Sequence, residues 1–535
     1  MNKKLVSFHE IPFKFQQLRN LTVDKNINNN NNKLTTENKK YHDLEWNEAL
    51  PFEFLPGPKP LPIIGNAWRF FPFIGNYYGK NILELHKQLH KEYGNIVILK
   101  GIMGRPPFVI TFSPEDCEKI FRNEGSRPYR NGIGSLAYYQ KVVRKNIYKN
   151  NASLAVLQGD EWHKMRAQVN NALMQPRVVA RYVNRIENVA RDFILKIDFL
   201  LKNSKNTNEL PDDFLNEIYR WSLETAGEIS LDTRLGCLEL NVSQNSEVQQ
   251  LIDAVNDMFD LIFELNILPS MWRQISTPKY KKFVRTMDYL TSICRKYADR
   301  AQTKMLSSEH NNDTVPSVLE VLLKVDKVVA IIMAVDILLA GVDTTGKTAA
   351  AVMYFLSINQ EKQDKLREEL LELMPDPNAP LTRQILDKMT YLRGCIKEAQ
   401  RIASITPGQN RVLPKDITLS GYQIPKNTEV FTGNLLMCNL DENYPKSNQY
   451  IPERWLRNSA PELTAKTTHP FVFLPFGHGP RACIGRRFAF CELEVLIATV
   501  FRKYKFEWHH DEMKFNSRLF YGVDSPLKFK LIPIY

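Results

Sequence analysis

Stretches in which apolar residues recur at every third and fourth position dominate this chain. They cover residues 82–93, 162–174, 180–201, 213–229, 248–265, 279–305, 325–356, 360–373 and 389–402, with a further amphipathic pattern over 486–503. Such spacing puts apolar side chains on one helix face, so every stretch needs a second surface to cover it. Runs suited to strands are short: 96–100, 108–111, 429–432 and 527–532. No repeat is evident and no Gly/Ser linker divides the chain after residue 50. One large, mainly α domain with small β-sheets is the expected fold class. A hydrophobic share of 43% supplies ample core for it.

The folded part is expected to begin near FLPGPKPLPIIGN (54–66), where closely spaced Pro and Gly allow neither helix nor central strand. Upstream, residues 1–23 carry Lys3, Lys4, Lys14 and Arg19 against Glu10, interleaved with Leu5, Phe8, Phe13, Phe15 and Leu18. A mitochondrial presequence and a disordered basic tail both fit that pattern. Neither a membrane anchor nor a secretory signal is expected, since no run of about 20 apolar residues occurs there. The asparagine-rich tract over 26–33 reads as low-complexity linker. Residues 1–50 are therefore assigned to a targeting segment and linker, and 51–535 to a single domain.

Formal net charge is +12, which suits nucleic acid, an anionic membrane surface or an acidic protein. Nucleic acid is disfavoured, because the positive charge is spread along the chain without C-x-x-C pairs or basic repeats. The seven cysteines are scattered and odd in number, as in a reducing compartment without a disulfide framework. Most read as small core residues. Cys483 does not.

Cys483 lies in FLPFGHGPRACIGRRFA (473–489). A thiolate that binds metal must be deprotonated, which nearby positive charge and converging N–H groups favour. Gly477, Gly479 and Gly485 permit φ > 0 and close approach to a flat ligand. Arg481 is placed to neutralise an acidic group on that ligand. A helix starting after Gly485 would direct its positive N-terminus at the sulfur. No Cys or His stands nearby at zinc-finger spacing, which argues against structural zinc. A lone thiolate on a planar iron macrocycle fits, and such a ligand favours O–O cleavage.

Residues 476–485, FGHGPRACIG, resemble at every fixed position the haem-binding signature F-x-x-G-x-R-x-C-x-G of the cytochrome P-450 monooxygenases. The resemblance implies a mainly α cytochrome P-450 fold enclosing haem b, with Cys483 as axial iron ligand and O2 as co-substrate. Phe476, His478 and Gly485 fall in the cofactor-binding loop. His478 and His163 read as propionate or packing neighbours rather than as ligands. AGVDTT (340–345) sits in the apolar 325–356 pattern and resembles the family's oxygen-activating helix. Its Ala-Gly pair would let the helix pass close to a ligand, and Thr344 can back-bond to a carbonyl. The match gives Asp343 and Thr344 a proton-relay role. Glu398 and Arg401 in KEAQR (397–401) share a helix face, and resemblance completes a structural triad with Arg454 of PERW (452–455). Trp162 and Arg166 of WHKMR (162–166), with Arg411 and Arg481, match residues that bind haem propionates. The resemblance spans roughly residues 50–535.

Members of the family differ in their electron donor. Arg393 and Lys397, at i and i+4, match positions where mitochondrial members dock a small acidic [2Fe-2S] ferredoxin, itself reduced by an NADPH-dependent reductase. Arg486 and Arg487 add to that face, and net +12 favours an acidic partner. One departure is FCELE after the arginines, which puts Phe490 and Cys491 where acids usually come first. GIMGRPPF (101–108), IFRNEGSRPYRNG (120–132) and ALMQPRVV (172–179) resemble an insect mitochondrial branch, family twelve and its relatives. That branch is associated with lipophilic foreign compounds, and cousin branches with ecdysteroids.

The expected function is insertion of one oxygen atom of O2 into a lipophilic xenobiotic or steroid-like molecule, on the matrix side of the inner mitochondrial membrane. The alternative location is the endoplasmic reticulum membrane. Pocket walls are inferred at 130–139, 337–340, 402–409 and 521–523. LNILPSMW (265–272) reads either as an apolar lip that touches membrane or as a packed loop. Rival functions are a haem-thiolate isomerase or dehydratase, for which a proton relay is superfluous, and a non-enzymatic haem sensor or carrier.

Overall fold

The computed structural model describes residues 45–534, apart from 102–105, 150, 205–207, 241–245, 269, 308–315, 377–378, 518 and 524–525. Most of the expected targeting segment and the whole asparagine tract lie outside the described residues. So does part of the 101–108 motif. Residues 46–50 are already docked: Leu50 N donates to Gly421 O at 2.9 Å and Gln423 N to Leu50 O at 2.8 Å. The packed region thus starts before residue 51, because this segment adds an edge to a hairpin near residue 420.

The longer helices are α1 Ile82–Tyr93, α2 Pro114–Asn123, α3 Gly159–Leu173, α4 Pro176–Lys202, α5 Phe214–Leu231, α6 Glu247–Asn266, α7 Pro278–Leu306, α8 Val318–Val325, α9 Lys327–Ile358, α10 Gln360–Leu373, α11 Thr390–Ile402 and α12 Arg486–Lys503. Helix α9 is apolar on nearly every side and largely buried. It is the central rod of the core, packed by α5, α7, α8, α11 and α12. The pattern expected from residue 325 as one helix is broken at Asp326. Its carboxylate accepts from Val328 N at 2.7 Å and Val329 N at 3.0 Å and so starts a new helix. Helix α2 was not anticipated, although Ser113 caps it and Pro114 sits in its first turn.

Strands are short. β1 Ile96–Leu99, β2 Phe108–Thr111, β3 Gln409–Val412 and β6 Glu429–Thr432 form one sheet in the order β1-β2-β6-β3. β1–β2 and β3–β6 are antiparallel, and β2–β6 is parallel. Two-stranded pairs join β4 Ile417–Leu419 to β5 Tyr422–Ile424, β7 Tyr504–Glu507 to β10 Lys530–Pro533, and β8 Phe515–Ser517 to β9 Tyr521–Val523. The sheet carries Arg411 on β3 toward the cysteine loop.

Candidate active site

The cysteine loop turns back on itself. Cys483 N donates to Phe476 O at 2.8 Å and Ala482 N to Gly479 O at 3.0 Å. The turns pass through Gly477 (φ 71°) and Gly479 (φ 70°), which L side chains rarely allow. A Cβ on Gly479 would collide with the Glu124 carboxylate, and one on Gly477 would stand 3.0 Å from Gln409 Oε1. These two glycines therefore make room for neighbouring protein. Gly485 departs from expectation: its φ is −84°, and it serves as the N-cap residue of α12.

Cys483 is the one exposed cysteine, and the other six are buried. Surrounding protein nonetheless raises its thiol pKa by desolvation. The N–H groups of Gly485 and Arg486 and the charges of Arg166 and Arg130 oppose that rise. The expected orientation of the α12 N-terminus toward the sulfur is present. Among the described residues no group of three or more His, Cys, Asp or Glu is arranged to hold a metal. A single thiolate is the available soft donor.

Four guanidinium groups gather beside this loop. Burial, then Arg130, Arg411 and Arg166, push Arg481 down to about 9. Burial, then Arg411 and Arg166, push Arg130 down to about 10. Arg166 is also lowered, chiefly by burial. Their partners differ. Arg481 donates to Pro128 O (3.0 Å), Leu154 O (3.3 Å), Leu157 O (2.9 Å) and Gln158 Oε1 (2.9 Å). It also lies 4.0 Å over the buried Trp162 ring. Arg411 pairs with Glu124 and donates to Asn410 O (2.9 Å) and His478 O (3.3 Å). Among the described residues, Arg166 bonds Asn170 Oδ1 (2.8 Å) and Met174 Sδ (3.4 Å). Among the described residues, Arg130 and Arg166 have no carboxylate partner.

The charge of Arg411 is thus answered by Glu124, and most donors of Arg481 hold backbone carbonyls. Arg130, read from sequence only as the start of a pocket wall, joins the cluster. His478 is a packing residue at the loop surface. Its ring lies 4.8 Å from Phe471 and 5.6 Å from Phe121. The Phe476 ring lies 5.1 Å from Phe490. A thiolate beside two unanswered cations suits an iron macrocycle with two acidic arms, so haem fits this donor set.

On α9, Thr344 Oγ1 donates to Ala340 O at 2.7 Å, the expected back-bond. Ala340 is exposed within an otherwise buried helix, so this face opens to interior space. Gly341 faces protein: a Cβ there would meet Ala226 of α5 at 3.7 Å. Asp343 is buried, and its Oδ2 accepts from Lys347 Nζ at 2.9 Å. The Lys347 stem lies over Gly522 of β9, where a Cβ would come within 2.7 Å of it. Two further carboxyls were missed by sequence reading. Asp336 accepts from Leu154 N at 3.1 Å, and burial pushes it up to about 7. Glu492 on α12 is bonded to Thr345, and burial pushes it to about 7.

The triad forms as expected. Arg401 grips Glu398 with two bonds, Nε to Oε2 at 3.0 Å and Nη2 to Oε1 at 2.9 Å. Arg454 Nε reaches Oε1 at 3.1 Å, and Trp455 Nε1 reaches Oε2 at 2.9 Å. All three charged residues are fully buried. Removing one partner from such a set costs about 3–5 kcal/mol.

The expected docking face is only partly free. Arg393 is engaged by Glu494 (2.6 Å) and Asp387 (3.1 Å), so its charge is largely spent inside the protein. Lys397 is half-buried, with its pKa lowered by burial and by Arg393 and Arg486. Arg486 and Arg487 are exposed. Of the inferred walls, Tyr139 is buried with its hydroxyl 2.7 Å from Asp288. Ile402 and Tyr521 line a surface cavity of about 740 Å³ together with Tyr354, Phe355 and Gln449. In the 265–272 stretch, Trp272 is packed and donates to Leu265 O at 2.7 Å, whereas Leu268 and Met271 are exposed.

A thiolate at a helix N-terminus, set in a mainly α fold with charge to spare for two acids, defines the haem-thiolate class. Comparison with known proteins places the chain within that class. The family model described as Cytochrome P450 matches residues 55–531. Probable cytochrome P450 301a1, mitochondrial, of Drosophila melanogaster is 37% identical over 91% of this chain and 88% of its own length. Probable cytochrome P450 12a5, mitochondrial, of the same species is 38% identical over 92% and 93%. Cytochrome P450 CYP12A2 of Musca domestica is 37% identical over 92% of each. This chain belongs to the cytochrome P450 family, and is a monooxygenase that uses haem b and O2.

Proposed function

We propose that this enzyme hydroxylates a lipophilic small molecule on the matrix side of the inner mitochondrial membrane, with electrons from a [2Fe-2S] ferredoxin. Residues 51–535 form its catalytic domain, and residues 1–50 act as targeting segment and linker. The observation that carries the site is Cys483, the single exposed cysteine, with two N–H groups and two arginine charges directed at it. Its thiolate holds the haem iron. Arg130 and Arg166 take the propionates, while Trp162, Arg411 and Arg481 fix the walls behind them. Haem, when bound, supplies dioxygen activation and oxygen transfer. Asp343 holds a proton path from Lys347 at Oδ2, and Thr344 Oγ1 presents the last hydroxyl of that path.

The mitochondrial names of two relatives, and the face that joins half-buried Lys397 to exposed Arg486 and Arg487, support the donor. Leu268 and Met271 support peripheral contact with the membrane that supplies the substrate. The test of the site is the reduced carbon monoxide spectrum. Wild type gives the thiolate Soret band and Cys483→Ala loses it; a variant that kept the band would remove Cys483 from the iron. Reduction by mitochondrial ferredoxin and its reductase, but not by microsomal reductase, is the expected donor result.

A further inference from the structure

Where acids usually follow the paired arginines, this chain has Phe490, the first residue of FCELE (490–494). Phe490 lies in the second turn of α12, four positions beyond Arg486 and three beyond Arg487, so the three share a helix face. Both arginines are exposed and have no carboxylate partner among the described residues. An acid at 490 would be drawn out to them. Phenylalanine turns the other way. Its half-buried ring lies 5.1 Å from that of Phe476, at an interplanar angle of 39°. Among the described residues each ring is the other's only aromatic neighbour.

Phe476 and Phe490 stand seven positions before and seven after Cys483, so their contact closes the loop around the sulfur. The two ends it joins supply the thiol's backbone surroundings. Phe476 O accepts from Cys483 N at 2.8 Å. The start of α12 supplies the N–H groups of Gly485 and Arg486 that favour the thiolate. Between these ends run Gly477 and Gly479, both at positive φ, which bend the chain but bring no side chain to pack. The ring pair therefore adds a side-chain tie where the backbone is easiest to open. An opening there would admit water. Hydrogen bonds from water draw charge off a ligating sulfur and make its metal easier to reduce, and water also brings the proton that turns thiolate into thiol.

We propose that Phe490 is a positioning residue: with Phe476 it closes an aromatic clasp on the Cys483 loop that keeps water from the thiolate and holds it on the iron. The clasp rests on the reading of Cys483 as iron ligand and adds a residue which that reading does not require. The experiment compares the full-length holoenzyme with Phe490→Ala, Phe490→Leu and Phe490→Glu. Three quantities are measured: the rate at which dilute urea abolishes the thiolate Soret band of the reduced carbon monoxide complex, the ferric/ferrous reduction potential, and Tm. Phe490→Ala, which suits a helix, should lose the band about tenfold faster than wild type. Its potential should be less negative. Phe490→Leu should recover most of both. Phe490→Glu can pair with Arg486 and Arg487, so it should keep Tm near that of wild type yet lose the band as fast as Phe490→Ala.

A band as durable in Phe490→Ala and Phe490→Glu as in wild type would overturn the clasp and leave Cys483 on the iron. A fall in Tm with band and potential unchanged would make Phe490 a packing residue alone, and would overturn it equally. Wild type without the thiolate band would overturn both the clasp and the ligand.

Discussion

A lysine one turn beyond Asp343 holds that carboxylate in place. With Nζ at 2.9 Å from Oδ2 and its stem clamped over Gly522, Lys347 fixes the acid that the proposed relay would use. Replacing it with methionine keeps the stem and removes one charge-assisted bond worth about 1.5 kcal/mol or more. Product formed per O2 consumed should fall about tenfold in Lys347→Met and recover in Lys347→Arg. Unchanged coupling in both would exclude Lys347 from the relay. Asp343 and Thr344 were readable because they are adjacent in an apolar stretch, where polar residues stand out. Lys347 was not, since a lysine at the end of such a stretch looks like its solvent edge. Only the placement of β9 shows that it turns inward.

At the scale of elements, Arg393 joins α11 to α12 rather than facing outward. Glu494, buried on α12, takes its Nε at 2.6 Å, and burial raises that carboxyl pKa despite the pairing. The two helices are thereby cross-linked beneath the surface that carries Lys397, Arg486 and Arg487. Lys397→Glu or Arg487→Glu should slow the first electron transfer from ferredoxin about tenfold at low salt, with the difference shrinking as salt rises. Arg393→Ala should instead lower stability by about 1–3 kcal/mol, since it strips Glu494 of its best partner. If Arg393→Ala slowed electron transfer as strongly as Arg487→Glu without a change in Tm, its charge would belong to the docking face. Sequence spacing showed that Arg393 and Lys397 share a helix face. It carried no information about the acid waiting on α12, about a hundred residues away. Helical periodicity likewise revealed α9 but not its separation from α8, because the break depends on one aspartate cap.

At the scale of the whole molecule, burial carries two of the raised carboxyls as far as the neutral range. Asp336 rises from an ordinary 3.8 to about 7, and Glu492 from 4.5 to about 7. Between the ordinary and raised values the folded protein retains protons that the unfolded chain releases, so both groups make stability decline as pH rises through that window. Below it, both states are protonated and the effect vanishes. Glu492→Gln removes its share. The Tm of the variant minus that of wild type should grow from about pH 5 to about pH 7 and then level off. A flat difference would show that Glu492 is charged in the folded state throughout. The long-range pairings shared the reason they were hidden from sequence: Arg481 meets Pro128 across 353 positions, and Arg411 meets Glu124 across 287. Those separations also fix a timetable. The cysteine loop emerges from the ribosome near the end of synthesis, while the walls that clasp its arginines emerge early. A nascent or truncated chain can therefore collapse around its central helix but cannot hold cofactor. Cofactor capture must be one of the last events in the life of a maturing chain, after any passage across a membrane in unfolded form.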